Sequence, residues 1–549
     1  MKPPMPQTQD HDCLSFGDAL FLHLERPGMP LHVASLAVFE GQIEGDACAR
    51  FVASKLPLIP RYRQHVVPAP LNLSLPVWQY DRAFDVRNHI REVNLRRGTM
   101  AELRTAAARI LSVPLDRARP LWDMTLFRGL REDRTGMLIR VHHCLADGLS
   151  GVGLMHTLLD SEPSSPPPAR KRLPPVPNGR PAQSLIESAV EACFSTVERV
   201  LTSQSELLQF AQQLVNAAAK EPEPSGEELP PGLNQNGHLP SVDEWNRLLP
   251  ELLGAAERLP FNVVCYGPQK FDCAEIPLAD LKQAKHLCGA TLNDVVLSLI
   301  TAVVQQYVRT RGVRTGARSL RIVMPVSVRT KAEAGELGNR ITFVPVNIPM
   351  HPRRVRDLVA AVHRNTGLLK TAHIGELVGL AGSVLGAIPP LLQAAMGPIA
   401  SQLPLSVANL ICTNVPGPKQ PLYLLGHKML SCHPYVPIGG EMGLNIAVLS
   451  YDGTMYFGFT GDMQAVPDLA VLPKMLTDSF SRLQKELGLS TRSRRKRSVR
   501  RTQDRPGVTA PSAPSEPAAT VPPIAFPRRA SISKDAVREQ GAFPTAVGA

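Results

Sequence analysis

Aromatic residues are scarce: 5% of 549 positions, with only three Trp. A surface that stacks unpaired nucleic-acid bases needs more of them, so that class of function is disfavoured. Cysteine is sparse too. Its nine residues are scattered, odd in number, with no CxxC pair and no metal-ligand spacing. That pattern argues against a disulfide framework or a zinc site, and for free thiols in a reducing compartment. The opening stretch, MKPPMPQTQDHD, shows no apolar core of a secretion signal. No run of about 20 residues reads as a clean membrane span. The nearest, 377–400, carries no charge but holds Pro389, Pro390 and several Gly. It is expected to be a buried, tunnel-lining or interfacial helix. No internal repeat is visible.

Against these absences stand length and apolar content. A chain of 549 residues exceeds what one core usually holds, so two domains plus linkers are expected. Hydrophobic residues at 44% can fill sizeable cores and exclude a wholly disordered chain. Proline, at 52 residues, is nearly twice the usual ~5%, so part of the chain should be linker or tail. The formal charge of +12 is unevenly placed: from Leu489 onward 12 Lys/Arg face 4 Asp/Glu, leaving only +4 on the body. A basic tail fits either an anionic surface or no dedicated partner at all.

The pattern along the chain divides it into 1–160, 161–245, 246–488 and 489–549. In the first part, Ser15-Phe16-Gly17-Asp18 resembles a capping box opening a short helix. Strands are expected at 31–39, 124–127 and 136–141 from their alternation. The stretch 161–181 holds eight Pro and the cluster Arg170-Lys171-Arg172, so 161–245 reads as a Pro-rich linker with a helical bridge. In the third part, helices are expected at 281–287, 291–310, 355–373 and 467–487. Strands are expected at 320–326, 342–348, 408–412, 443–450 and 454–459. Thr291 can cap its helix, with Asp294 completing a capping box. The last part is Arg-, Pro-, Ala- and Ser-rich, with the profile of a disordered tail. Strands and helices mix in both halves, so the class is α/β or α+β.

The sharpest segment is His142-His143-Cys144-Leu145-Ala146-Asp147-Gly148, which follows an apolar strand. A His at a strand end can reach into a cleft, and neutral imidazole can accept a proton near neutral pH. Asp147 is better suited to fixing the turn, by hydrogen bonds or an ion pair with an Arg; Arg140, Arg329 and Arg340 are candidates. Gly148 allows a tight backbone before the next helix. A chance His pair in a turn is the bland alternative. A metal site would need a third ligand, and none has a recognisable spacing.

HHxxxDG resembles the signature of acyl-CoA-dependent acyltransferases of the chloramphenicol-acetyltransferase fold and of peptide-synthetase condensation domains. More narrowly, the chain resembles the bacterial wax ester synthase/diacylglycerol acyltransferases. Leu14-Ser15 with Asp18-Ala19, Pro120-Leu121-Trp122 and Asn293-Asp294-Val295-Val296 match that group. So do Pro325-Val326-Ser327-Val328-Arg329, Gly338-Asn339-Arg340 and Asn414-Val415-Pro416-Gly417-Pro418. These segments run from about residue 13 to 485. Lys270 stands where the family is expected to have Arg, and the bridge and tail lie outside the family pattern.

The resemblance implies two chloramphenicol-acetyltransferase-like sheet-and-helix domains with the active site in the cleft between them. It implies His143 as the general base that lets an alcohol attack a fatty acyl-CoA, an effect typically worth roughly 10²–10⁴-fold. His142 would position His143 or shape the pocket. Asn293 is a candidate donor to the developing oxyanion, a contribution of about 3–4 kcal/mol where it applies, or else part of a helix cap. Asp294, Trp122 and Ser150 are read as substrate-binding or structural support. Ser150 and Cys144 are candidates for an acyl-enzyme, ranked below direct attack. Acyl-CoA is a co-substrate, with no resident cofactor or metal expected. The acceptor is diacylglycerol or a long-chain alcohol. Expected surroundings are the inner face of the plasma membrane or a lipid inclusion, reached from the cytoplasm. The segment 493–501 (SRRKRSVRR) could add ~1 kcal/mol per basic residue near anionic lipid. Rival readings are an acyltransferase for another small alcohol or polyketide, and a non-catalytic lipid-binding or droplet-coating protein. A specific nucleic-acid partner is the least favoured.

Overall fold

Among the described residues two six-stranded sheets organise the chain, and a pair of strands from its second half joins the sheet of the first. The computed structural model describes residues 13–26, 28–68, 75–146, 148–163, 256–327, 341–371 and 408–489. The segment 377–400, most of the bridge at 161–245 and the tail from 490 lie outside the described residues. So do Asp147, Arg329 and Arg340.

The first sheet has the order β11 (Tyr423–Leu424), β12 (His427–Tyr435), β1 (His32–Glu40), β6 (Arg134–His142), β5 (Trp122–Leu130), β4 (Ile90–Asn94). β1 runs antiparallel to both its neighbours, pairing His32 with His142 on one edge and Ala34 with Tyr435 on the other. Leu36, Ala37, Val38 and Phe39 are all buried, the mark of a strand covered on both faces. Such a strand needs partners on both edges, and β12 supplies the second one from the far side of the bridge. Asp160 continues the tie by exchanging backbone hydrogen bonds with Tyr423, 2.9 and 2.8 Å. The boundary drawn along the sequence between 1–160 and 246–488 is therefore not a boundary between sheets: 423–435 belongs to the first one.

The second sheet has the order β7 (Gln269–Pro277), β14 (Thr454–Asp462), β13 (Leu444–Tyr451), β10 (Leu410–Val415), β8 (Ser319–Ser327), β9 (Ile341–Pro349). A smaller ribbon joins β2 (Gln64–Val67) to β3 (Val77–Tyr80).

Helix α1 (Phe16–Leu24) is capped by Ser15, whose hydroxyl accepts the Asp18 N–H. α2 (Gly45–Lys55) and α3 (Met100–Leu111) also precede the His motif, and α4 (Gly148–Leu158) follows it. In the second half come α5 (Leu278–Cys288), α6 (Leu292–Thr310), α7 (Val355–Thr371) and α8 (Leu472–Glu486). α6 is buried nearly all round from Asp294 to Val308, as a helix at the centre of a core must be. Val296, Leu299, Ile300 and Val303 pack there with Ile322, Val346, Leu410 and Phe457 of the sheet. Among the described residues, no single helix is long and apolar enough to cross a membrane.

The two sheets meet where β12 passes β14. A Cβ on Gly458 would lie 1.8 Å from the Pro434 carbonyl oxygen. Gly417 is similarly confined: a Cβ there would lie 2.2 Å from the Ser450 carbonyl oxygen. That backbone crowding explains the glycine of the NVPGP segment. Beside this contact, Arg104 on α3 pairs with Asp272 on β7 at 2.9 Å. Replacing Gly458 by Ala must push two backbones apart. The variant should lose at least about 2 kcal/mol of stability in denaturant unfolding; an unchanged midpoint would mean the sheets are not held this closely.

Candidate active site

Strand parity and local turns decide what each motif residue can do. β6 ends at His142, which is fully buried, while His143 is partly exposed and Cys144, Leu145 and Ala146 are buried again. The turn is tied down by backbone hydrogen bonds. The His142 N–H donates to Leu121 O, the His143 N–H to Leu31 O and the Leu145 N–H to His142 O, each at 2.9 Å. The His143 ring lies flat on the Phe21 ring of α1, with centroids 3.9 Å apart and planes at 10°. One imidazole is thus enclosed and the other is stacked, anchored and reachable.

His142 has a defined role in this arrangement. Its Nδ1 accepts the Cys144 N–H at 3.1 Å, which assigns the ring proton to Nε2. Nε2 faces Glu25 Oε1 at 3.5 Å, a separation longer than an ordinary hydrogen bond. Glu25 follows directly after α1. Its carboxylate also accepts from the Leu31 N–H at 3.0 Å and from Arg117 Nη2 at 3.0 Å. Burial alone would raise the Glu25 carboxyl, but the facing His142, the Leu31 N–H and Arg117 outweigh it and hold it at about 2. Nothing in the spacing of the sequence singled out Glu25, Arg117 or Phe21. Their only local signal is the capped helix that carries or precedes them.

The other candidates sort by what they touch. Trp122 is 1% exposed, sandwiched between Tyr62 and His89, and donates its indole N–H to Tyr62 O at 2.8 Å. It is structural support. Ser150 is buried in the first turn of α4, which Gly148 opens. Cys144 is buried, and burial with the nearby Asp18 and Glu25 carboxylates pushes its thiol well above its ordinary value. The thiolate that a covalent acyl-enzyme requires is disfavoured at that position. Arg140 is committed elsewhere: its guanidinium grips Asp123 at 2.9 and 2.6 Å and donates to Ile110 O and Val113 O.

The Asn293-Asp294 pair is divided between two jobs. Asp294 completes a capping box with Thr291 and also accepts from Thr366 Oγ1 at 2.7 Å and meets His363 Nδ1 at 2.8 Å. It fastens α6 to α7. Asn293 turns its amide N–H toward Met324 Sδ at 3.3 Å, and its oxygen accepts from Asn414 Nδ2 at 3.2 Å. The amide offered to an oxyanion on sequence grounds therefore bridges β8 and β10, because the first turn of α6 aims it there. Asn414, the first residue of NVPGP, is its partner. α4 packs on the same β10 strand, and Cys144, Leu154 and Leu158 share a core with Leu449, Tyr451 and Tyr456 of the second half. The His motif thus stands where the two halves join.

Residues 14–296 match the wax ester synthase/diacylglycerol acyltransferase catalytic domain, and residues 337–484 match the WS/DGAT C-terminal domain. The chain belongs to this family. It is an acyltransferase. A probable diacylglycerol O-acyltransferase of Mycobacterium tuberculosis, tgs1, is 27% identical over 473 residues, 85% of this chain and 94% of that protein. A second from that organism, tgs2, is 27% identical over 489 residues, covering 87% and 100%. The fold is shared with the wax ester synthase/diacylglycerol acyltransferase from Marinobacter aquaeolei VT8, at a TM-score of 0.57 and 21% identity over 87% of this chain and 100% of that one. It is shared as well with the first condensation domain of the CDA synthetase, at a TM-score of 0.53 and 15% identity over 87% and 97%. This is the mixed α/β, chloramphenicol-acetyltransferase-like architecture expected from HHxxxDG. Within this family member, Lys270, the departure from the expected Arg, sits on β7 and donates to the Pro467 carbonyl.

The Glu25 carboxyl yields a pH dependence. Its value is depressed in the folded state, so its stabilisation is complete above the ordinary value of 4.5 and is lost as pH falls toward about 2. Denaturant unfolding should show Glu25→Gln weaker than the parent protein at about pH 6, with the gap narrowing as the pH falls below 4.5 and closing only around pH 2. A gap that widens on acidification would contradict this assignment.

Proposed function

We propose that the enzyme moves a long-chain acyl group from acyl-CoA to diacylglycerol, to a long-chain alcohol, or to both, with His143 as general base. The observation that carries the reading is the contrast within the motif: His142 is sealed and engaged, whereas His143 is partly exposed and held by its backbone and by Phe21. The mycobacterial relatives, named as diacylglycerol O-acyltransferases, favour the glycerolipid acceptor.

The chemistry balances on one imidazole. The acceptor oxygen attacks the thioester carbonyl carbon while its proton passes to His143. The tetrahedral adduct then collapses, the C–S bond breaks, and the imidazolium returns the proton to the departing CoA thiolate. No covalent acyl-enzyme is required, in keeping with the buried, protonated Cys144. Acyl-CoA enters as a substrate, and the step calls for no resident cofactor. Product and acceptor are apolar, and the basic run 493–501 suits an anionic lipid surface. We place the enzyme at the cytoplasmic face of the membrane or on lipid inclusions on those grounds.

The test is release of free CoA from palmitoyl-CoA by the purified protein, with diacylglycerol and hexadecanol offered separately. Acceptor-dependent release should fall by about 10²-fold or more in His143→Ala. Release with only one acceptor would name the substrate, and equal release from the variant would remove His143 as the base.

A further inference from the structure

Glu25 touches several of the groups that hold the His143 ring. Its backbone N–H donates to Phe21 O at 3.2 Å, and Phe21 is the residue stacked on His143. One carboxylate oxygen accepts the Leu31 N–H, and the carbonyl of Leu31 in turn receives the His143 N–H. The same oxygen faces Nε2 of His142, whose Nδ1 receives the N–H of Cys144, the residue immediately after His143. The ring is thereby constrained at its face, at its own backbone and at the residues before and after it. Arg117 grips the other carboxylate oxygen through Nε and Nη2, at 3.2 and 3.0 Å, and its Nη2 also donates to Leu22 O at 2.7 Å. The Glu25 side chain is 3% exposed, while the Arg117 side chain that grips it is 48% exposed.

We propose that Glu25 is a positioning residue for acyl transfer: it holds His142 in the Nε2–H tautomer and, through Leu31 and Phe21, fixes the attitude of the His143 ring. This rests on His143 being the base. A carboxylate serves here where an amide would not, because one oxygen takes the Leu31 N–H and faces the His142 ring while the other takes Arg117, and neither offers a proton of its own. In Glu25→Gln the NH₂ group must face either Arg117 or, turned over, Leu31 and His142 together, because those two share one carboxylate oxygen. The charged, two-pronged Arg117 keeps the remaining oxygen, which leaves the NH₂ against the Leu31 N–H and the His142 ring. The ring's tautomer preference then weakens, and with it the hydrogen bond that shapes the turn after His143. Small displacements of a general base cost on the order of 10²-fold in rate when they spoil the attack geometry.

The experiment compares the full-length protein, Glu25→Gln and His143→Ala by steady-state kinetics, thermal unfolding and the ring-nitrogen shifts of ¹⁵N-histidine-labelled protein. His142 is assigned by difference against His142→Gln. For Glu25→Gln the expected result is a kcat lower by about 10- to 100-fold at a temperature where the protein is fully folded. KM for palmitoyl-CoA should stay within about twofold, since a positioning defect acts on the chemical step and not on donor binding. The His142 ring should report a proton on Nε2 in the parent and a mixture of tautomers in the variant. A folded variant with parental kcat, or one whose loss tracks only its unfolded fraction, would overturn the proposal. If the variant does not fold, the parent spectrum decides: a proton on Nδ1 of His142 refutes the assignment, and one on Nε2 upholds it. An active His143→Ala protein would instead sink the base reading, a result that the tautomer measurement does not depend on.

Discussion

The double pairing of β1 is the constraint on which the rest depends. β6 holds one edge of this strand and β12 the other, so a strand from the first half is clamped by strands from both halves. The clamp sets the height of Leu31 just before β1 and of His142 at the end of β6. Those two positions determine where the turn between them and α4 can stand. The close passage of β12 over β14 at Gly458 carries the same constraint into the second sheet. Site geometry and domain association are therefore consequences of one ladder of hydrogen bonds, not separate achievements of two domains.

Two adjacent imidazoles meet opposite fates because neighbouring positions at a strand end face different surroundings. His142 turns inward among Glu25, Leu121 and the Cys144 amide. His143 turns outward onto Phe21. The buried carboxylate stays ionised because each of its oxygens has donors aimed at it, which is what a charge needs in a protein interior. On the far side of the junction, Asp294 follows the same logic with Thr291, Thr366 and His363 around it. Each half of the molecule thus fixes its functional edge with one sealed carboxylate.

Local features were legible in the sequence and long-range ones were not. The strand expected at 31–39 lies at His32–Glu40, and the helix expected at 291–310 is Leu292–Thr310 with Thr291 as its cap. Alternation and capping are written into consecutive residues, so they can be read without a fold. β12 escaped notice because HKMLSCHPY mixes Lys, two His and Pro with its apolar residues, and its strand character comes from β1. β7, QKFDCAEIP, was missed for the same reason. Within the site, HHxxxDG is legible as a turn at the end of β6, and His143 is its partly exposed imidazole. Glu25 stayed hidden because an acid after a short helix has no fixed distance along the chain from the His it faces. Asn293 was legible as a residue of interest, but not in its orientation, which β8 and β10 impose.

The crossing of β12 also has a meaning for biosynthesis. A ribosome makes the His motif early, yet the strand that closes the second edge of β1 emerges only when residue 435 has been added. Contacts of such sequence separation form late and slowly. Until then the nascent chain exposes an apolar strand with an open edge, the kind of surface that holdase chaperones cover and that aggregates when they do not. The motif turn is consequently assembled among the last parts of the molecule, and a truncated product that ends before β12 carries the whole motif without the sheet that holds it.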